Sequence, residues 1–256
     1  DAESTDAYWS REVAQRLGLK RHRVIDLDAR KAADMLDIML SATGQPNSIS
    51  SMLGVLSVCE VANADNVRVL LSGDGADEVF GGYPWYRESQ LGFAEDFYEP
   101  PHYFASADIR SALFTPEVIE SGLSVRQSFP DSLSSMLKSD RDFYFRNEML
   151  TKFDRATMRY SIEGRSPFSS LVFDDFQKQV SADVIVDPRK SAKHLLLNAF
   201  KGTLIGDILC RPKRGFDFPL VAWLGSDWCD LLNHSLSGES ALVKSGLLKP
   251  NLIGSS

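Results

Sequence analysis

Apolar residues recur at helical spacing over the first third of the chain. Residues 6–18, 28–42 and 50–64 share this pattern, and each segment is predicted to form a helix with one face in the core. Asp28 stands where the second helix needs an N-cap, and Gly18 is a natural residue to end the first helix.

Two segments predict β-strands. A run of β-branched residues and leucines at residues 67–71 is typical of a strand buried on both faces of a parallel sheet. Residues 22–27 indicate a second, shorter strand. Strand, helices and strand over this span form a crossover unit, so the sequence predicts an α/β fold, a parallel sheet with helical cover.

After Tyr83 no further strand is predicted, and the chain becomes mostly helical. Helical patterns occupy residues 141–150, 154–163, 171–180 and 193–201. We expect one domain over residues 1–256, with a sheet portion at about residues 1–83 and a helical portion at about residues 84–256. The helical portion would cover the carboxyl edge of the sheet.

Composition narrows the class of protein. The chain has 256 residues, 43% of them hydrophobic, and a net charge of −7, which fits a sizeable core and argues against general nucleic-acid binding. Three scattered cysteines fit neither a disulfide framework nor a zinc site, so a reducing, cytoplasmic setting is expected. No stretch is apolar enough to predict a membrane span or a signal peptide.

Small residues and carboxylates follow the strand at residues 67–71 without a linker. Glycines let a ligand approach the backbone and leave amide groups free to face phosphate oxygens. Carboxylates beside such a turn are suited to Mg²⁺. The alternative is an acidic surface turn, but the buried strand before it and the Gly81-Gly82-Tyr83 turn after it favour a functional site. The segment reads Ser72-Gly73-Asp74-Gly75-Ala76-Asp77-Glu78.

Two groups of basic residues are candidates for binding an anion. Arg211, Lys213 and Arg214 form a basic loop on an acidic chain, the complement expected for a nucleotide triphosphate; the alternative is a solvated turn. Lys152 and Arg159, with Arg155 between them, share a helical face and would form a cationic strip. An ordinary solvated face explains that strip equally well, and pairing with neighbouring carboxylates is expected for Arg155 and Arg165.

Three blocks of the sequence, in order, resemble the signature blocks of the ATP-using domain of the asparagine synthetase family. That domain is of the ATP-pyrophosphatase type, with an adenine nucleotide alpha-hydrolase-like fold. The blocks read S-G-D-G-A-D-E-V-F-G-G-Y at residues 72–83, D-R-A-T-M…S-I-E-G-R-S-P-F at residues 154–168, and R-P-K-R-G-F…P…W-L at residues 211–224.

The resemblance implies an ATP-dependent ligase that forms amides and uses Mg²⁺. It would adenylate a carboxylate, aspartate or a related acid, release pyrophosphate, and transfer ammonia or an amine to the acyl group. The implied site residues are Lys213, Asp74 and Glu148 for catalysis, Ser72, Gly73, Gly75 and Lys193 for nucleotide binding, and Asp77 for the metal.

The sequence also departs from the family pattern. The family's S-G-G-x-D-S loop and its glutaminase domain have no counterpart here, and Gln45-Pro46 stands where relatives have Glu-Pro. The chain is expected to be a fragment with the glutaminase domain upstream, since the carboxylates and Lys213 are kept. The alternative is a non-catalytic binding or scaffold relative. Partners would be small carboxylate and amine substrates, and a homodimer is left open.

Overall fold

The computed structural model describes residues 6–45, 49–91, 107–124, 132–203, 206, 208 and 218–250. These residues form a mostly helical protein with a small parallel sheet. The strands are β1 (Val69–Leu71) and β2 (Glu163–Arg165). The helices are α1 (Asp6–Arg16), α2 (Ala29–Asp34), α3 (Leu36–Thr43), α4 (Ser51–Ala64), α5 (Ala76–Phe80), α6 (Pro84–Gln90), α7 (Ala107–Leu113), α8 (Pro116–Ser124), α9 (Leu133–Ser139), a π-helix (Asp140–Leu150), α10 (Thr151–Arg159), a 3₁₀ turn (Pro167–Ser169), α11 (Leu171–Gln179), α12 (Ala182–Ile185), α13 (His194–Ala199), α14 (Leu220–Leu224), α15 (Cys229–Leu236) and α16 (Ala241–Lys244).

The two strands run parallel, with Leu70 opposite Gly164. Beyond the strand end, the Ser72 amide donates to the Arg165 carbonyl at 2.8 Å. The carboxyl ends of both strands therefore meet at one edge. In parallel sheets this edge is where ligands bind.

Helix α10 covers one face of the sheet. A side chain at Gly164 would meet Phe153 and Thr157 of α10, since an added Cβ would lie 2.7 Å from the Thr157 hydroxyl. The same helix packs against α3, α4 and the π-helix. Its fully buried residues, Ala156 and Thr157, lie in the core with Leu56 of α4. Helix α10 thus joins the sheet to the helical layer.

The prediction that the first strand is buried on both faces was wrong, because one face of β1 is exposed. Val69 is 46% exposed and Leu71 is 72% exposed. Side chains alternate between the two faces of a strand, and among the described residues the helical cover lies on the face of Leu70. The run of apolar residues therefore predicted the strand correctly but not its exposure.

Two further strand predictions were wrong. Residues 22–27 form no strand, because none of the described strands pairs with them and an isolated extended segment has no ladder to join. Glu163–Arg165, in contrast, forms β2, although its first residue was assigned to a helix and no strand was expected after Tyr83. Its short polar sequence lacks any alternating pattern, so only the pairing with β1 makes it a strand.

Most predicted helices are confirmed. The segment at residues 28–42 is split at Met35 into α2 and α3, and the Asp28 side chain accepts from the Lys31 amide at 2.8 Å as the predicted N-cap. Gly18 has a φ of 62° just after α1. The helix predicted at residues 141–150 is a π-helix, a rare form that is frequent at functional sites.

The chain divides into two compact units. The first contains residues 1–87 and 133–217, and so both strands and α10. The second contains residues 88–132 and 218–256; in it, an isolated antiparallel bridge joins Phe114 to Leu248. The organisation into one domain with a sheet portion and a helical portion stays a prediction. Across the described part of the chain, every helix is too short or too polar to cross a membrane.

Candidate functional site at the carboxyl end of the parallel strands

The acidic loop, residues 72–78, turns sharply between β1 and α5. Gly75 has a φ of 94°, a backbone conformation that side chains disfavour, and an added Cβ would lie 2.7 Å from the Phe145 ring. Only glycine fits this turn. Gly73 differs, since no atom lies within 4 Å of a Cβ built there, so its backbone faces open space that a ligand can enter.

The Asp74 carboxylate is held inside the loop. The Ser72 hydroxyl donates to Asp74 Oδ2 at 2.5 Å and accepts from the Asp74 amide at 3.1 Å. The Ser166 hydroxyl, just after β2, donates to the Asp74 carbonyl. The loop after β1 and the loop after β2 are therefore joined at Asp74, and the Ser72 hydroxyl is engaged within the loop.

A buried lysine approaches Asp74 from α10. Lys152 is only 5% exposed, and its Nζ lies 3.8 Å from Asp74 Oδ1. The same ammonium lies 3.4 Å from the Ser51 hydroxyl and 3.5 Å from the Met149 sulfur. The predicted cationic strip is therefore wrong for Lys152, which faces inward, while Arg155 and Arg159 are exposed.

Asp77 forms the second ion pair of the loop. The Lys193 amine donates to Asp77 Oδ1 at 3.0 Å, and both side chains are about a quarter exposed. Gly82 lies against the same carboxylate, since an added Cβ would lie 1.8 Å from Asp77 Oδ1. Two residues predicted to serve ATP and Mg²⁺ are thus in direct contact.

Glu78 is the third carboxylate and has no cation beside it among the contacts of the described residues. It is 1% exposed, and the Tyr83 hydroxyl donates to Glu78 Oε1 at 2.7 Å. Burial raises the pKa of Glu78 to about 7, although the Tyr83 hydrogen bond opposes the shift. A pKa near neutrality lets the buried Glu78 carboxyl keep or release its proton within the physiological range, a common property of carboxyls in reactive sites.

Aromatic and acidic side chains surround Glu78. Tyr83 stacks on Trp85 with ring centroids 4.1 Å apart. The Trp85 indole and the Tyr86 hydroxyl both donate to Asp140 Oδ2, at 2.9 Å and 2.6 Å. Asp140 is 2% exposed and begins the π-helix. This network supports α5 and the turn that follows it.

Glu148 belongs to the same acidic environment. Burial raises the pKa of Tyr144, and the charges of Glu78 and Glu148 add to this shift, followed by those of Asp140 and Asp74. Tyr144 and Glu148 both lie on the π-helix, which packs against α5. The structure therefore brings Glu148 into the neighbourhood of the acidic loop.

A cavity of about 500 Å³ opens at the carboxyl ends of both strands. Leu71 and Arg165 line it from the strands, Phe153 and Asp154 line it from α10, and Ser166 links its wall to Asp74. Arg165 also pairs with Glu163 at 3.6 Å, which confirms the pairing expected for this arginine. The cavity therefore provides space for a ligand beside the contacts that join the loops after β1 and β2.

The structure brings together most of the predicted site residues. Lys213 and the rest of the basic loop at residues 211–214 lie outside the described residues. The sequence analysis missed Asp140, gave Tyr83 only a place in the turn after the loop, and placed Lys152 on a cationic strip instead of beside Asp74. A signal existed for Lys152, because Met149 and Ala156 place it on an apolar helical face.

The described carboxylates do not form a metal cage. No group of three or more His, Cys, Asp or Glu side chains within the described ranges is arranged to hold a metal ion. Mg²⁺ commonly takes only one or two carboxylates and fills its shell with water and substrate phosphates. Asp77 fits this shared mode of binding and not that of a metal cage built by the protein.

These features define a mostly helical α/β protein whose candidate site lies at the carboxyl end of a parallel strand. The chain belongs to the asparagine synthase family, whose profile matches residues 1–254. It is 28% identical to asparagine synthetase [glutamine-hydrolyzing] 1 of Bacillus subtilis over 63% of this chain and 32% of that protein. It is 23% identical to asparagine synthetase [glutamine-hydrolyzing] 3 of the same species over 82% of this chain and 36% of that protein. The chain spans about a third of the length of these curated relatives.

Proposed function

We propose that the chain is the synthetase part of an ATP-dependent ligase that forms amides. One observation carries this proposal: in a member of the asparagine synthase family, a glycine-rich loop after a parallel strand holds Asp74 and Asp77, and a lysine lies beside each of them. Such a loop has backbone amides for phosphate and carboxylates for an accompanying cation.

The proposed reaction has two steps. A substrate carboxylate, aspartate or a related acid, attacks the α-phosphorus of ATP, so that an acyl-adenylate forms and pyrophosphate leaves. The nitrogen of ammonia or an amine then attacks the acyl carbon, and AMP leaves. Both steps develop negative charge, on phosphate oxygens first and on the acyl oxygen second, so cations placed in advance lower both barriers.

The nucleotide would lie against the open side of the acidic loop. Gly73 has free space at its Cα and lets phosphate approach the backbone. Asp77 would hold Mg²⁺ together with the phosphates; when bound, the ion offsets the charge of the triphosphate. Lys193, 3.0 Å from Asp77, is close enough to the same phosphates to bind them.

Asp74, Glu148 and Lys213 are the proposed catalytic residues. The Asp74 carboxylate is held by Ser72 in a fixed orientation, as a residue that contacts the substrate amine requires. Glu148, which lies on the π-helix, would act close to Asp74. Lys213 would stabilise the oxyanion, since a flexible ammonium can follow charge as it develops.

The nitrogen donor is proposed from the relatives. The two Bacillus subtilis proteins are named as glutamine-hydrolysing, and this chain spans about a third of each. We therefore propose that a glutaminase domain supplies ammonia in the full-length protein, and we place the reaction in the cytoplasm. A homodimer is compatible with this arrangement.

The test is pyrophosphate release from ATP by the full-length protein with Mg²⁺ and a panel of carboxylic acids, aspartate first. We expect release that depends on one acid and falls at least about 100-fold in Lys213→Ala. The matched control is Lys178→Ala, an exposed lysine paired with Asp174 on α11, which should behave like the wild type. Binding of ATP without pyrophosphate release for any acid would support the non-catalytic alternative.

A further inference from the structure

We infer that Lys152 is a positioning residue for Asp74, fixing the carboxylate that the proposed function places next to the substrate. The inference rests on that proposed function. It concerns a lysine that stands outside the acidic loop, on α10, and that the sequence left as either a surface charge or an anion-binding residue.

Lys152 is a buried charged residue. A lysine that is 5% exposed has lost most of its hydration, and a buried ammonium is unfavourable unless it is paired and hydrogen-bonded. Lys152 is the second residue of α10, directly after the π-helix, and the neighbouring positions Phe153 and Ala156 are core residues. A neutral apolar residue would pack there at lower cost, so the charge needs an explanation.

The hydrogen-bond acceptors around Lys152 are weak ones for an ammonium. An ammonium has three donors, and the acceptors near Lys152 lie at 3.4 Å and 3.5 Å, a hydroxyl and a thioether. Both contacts are longer than a strong charged hydrogen bond. The only carboxylate within 4 Å among the described residues is that of Asp74, at 3.8 Å. The strongest interaction of this buried charge is therefore with the acidic loop.

At Asp74, the two oxygens of the carboxylate have different neighbours. The Ser72 hydroxyl contacts Oδ2, while the Lys152 ammonium faces Oδ1. The two carboxylate oxygens are thus addressed by different groups, which fixes the rotation of the carboxylate. Ser51, the third partner, is the first residue of α4, so Lys152 also ties the start of that helix to the loop.

Each carboxylate of the acidic loop has its own partner. Asp74, Asp77 and Glu78 lie within five residues, and each has a different partner: Lys152, Lys193 and the Tyr83 hydroxyl. Without Lys152, the Asp74 carboxylate would repel the triphosphate that the site is proposed to bind. With it, the carboxylate has an ammonium on the Oδ1 side and the Ser72 hydroxyl on the Oδ2 side.

The experiment is a double-mutant cycle in the full-length protein with Lys152→Met, Asp74→Asn and the two together. We expect Lys152→Met to lower kcat for pyrophosphate release by about 10- to 100-fold while KM for ATP changes less than about threefold. In the Asp74→Asn background, Lys152→Met should have no further effect, because residues that act as a unit are non-additive. Lys178→Met is the matched control.

Two kinetic outcomes would overturn the inference. An unchanged kcat in Lys152→Met means that the lysine is only structural. Effects of Lys152→Met and Asp74→Asn that multiply mean that the lysine acts on the substrate independently of Asp74. If Lys152→Met does not fold, Lys152→Gln replaces it, since its amide can still bond to Ser51 without a charge.

A second readout separates this inference from the proposed function. If the wild type releases no pyrophosphate, the proposed function fails, but the same variants still report the ion pair through their unfolding equilibria. We expect a coupling of about tenfold in the unfolding equilibrium constant between Lys152 and Asp74. Additive effects on unfolding would show that Lys152 and Asp74 do not interact, and Lys152 could then not position Asp74.

Discussion

The Lys193 ammonium lies 3.0 Å from Oδ1 of Asp77, and the backbone of Lys193 has a left-handed conformation. Its φ is 56° and its ψ is 30° at the start of α13. Residues with a side chain pay about 1 kcal/mol or more for this conformation. Strain of this kind persists where surrounding contacts compensate for it. At Lys193, the contact is the ion pair with Asp77, and both residues belong to the predicted site.

This strain predicts an unusual order of stabilities at position 193. Lys193→Met loses the ion pair and keeps the strain, whereas Lys193→Gly loses the ion pair and relieves the strain. We expect the glycine variant to be more stable than the methionine variant by about 1 kcal/mol, as measured by chemical denaturation. Both should bind ATP more weakly than the wild type. A methionine variant as stable as the glycine variant would mean that no strain is stored.

Gly82 predicts a second effect on Asp77. Because an added Cβ would lie 1.8 Å from Asp77 Oδ1 and 3.0 Å from the Asp77 Cα, Gly82→Ala must displace that side chain. We expect a loss of about 1–3 kcal/mol in the free energy of unfolding and a weaker dependence of ATP binding on Mg²⁺. Scanning calorimetry measures the change in stability, and titration calorimetry with and without Mg²⁺ measures ATP binding.

Gly73→Ala is the matched control for stability. Its Cβ would meet no atom within 4 Å, so its free energy of unfolding should change by less than about 0.5 kcal/mol. Equal destabilisation by the two substitutions would contradict the packing of Gly82 against Asp77.

The acidic loop was predictable because its signal is local. A strand of apolar residues followed at once by Gly73, Asp74 and Gly75 indicates a ligand loop at a strand end. The partners of its carboxylates were harder to predict. Lys193 lies 116 residues from Asp77 along the chain, and only the folded structure brings the two together. The resemblance named Lys193 as a nucleotide ligand without indicating this pairing.

The missed features have a common cause. Glu163–Arg165 is a strand only because β1 supplies its hydrogen bonds, and periodicity cannot report a pairing with a distant segment. The exposure of Leu71 also depends on which elements cover the sheet. For Lys152, charge favoured a surface position, while its apolar helical neighbours indicated the core, and the core position was correct.

Substitution of Asp140 is expected to lower stability substantially. Its carboxylate accepts from the buried Tyr86 hydroxyl and from the partly buried Trp85 indole, and Asp140→Ala removes both hydrogen bonds. Since each intramolecular hydrogen bond contributes about 1 kcal/mol net, we expect a loss of about 2 kcal/mol in the free energy of unfolding, measured by denaturant titration.

Asp142→Ala is the control on the same helix. Asp142 is about half exposed and pairs with Lys138 at 3.1 Å, and exposed ion pairs contribute at most about 1 kcal/mol. If the two alanine variants were equally stable, Asp140 would not organise the aromatic residues around it.

Glu78 predicts how stability depends on pH. Burial raises its pKa from 4.5 to about 7, with Asp77 and Asp140 adding to the shift. Below about pH 4.5 the carboxyl is protonated in both the folded and the unfolded chain and contributes nothing. Between pH 4.5 and 7 the unfolded chain releases the proton and the folded chain retains it. The free energy of unfolding therefore falls as pH rises through this window, by roughly 3 kcal/mol in total from this group.

Glu78→Gln removes this dependence while its amide oxygen can still accept from Tyr83. Relative to the wild type, the glutamine variant should gain stability steadily from pH 5 to about pH 7 and keep that gain at pH 8, as measured by denaturant titration in buffer free of divalent ions. At pH 5 and below, where Glu78 is protonated in the fold, the two proteins should be nearly equal. A difference between them that is constant across this range would mean that Glu78 is ionised in its buried site, and that the Tyr83 hydroxyl is sufficient to stabilise the charge.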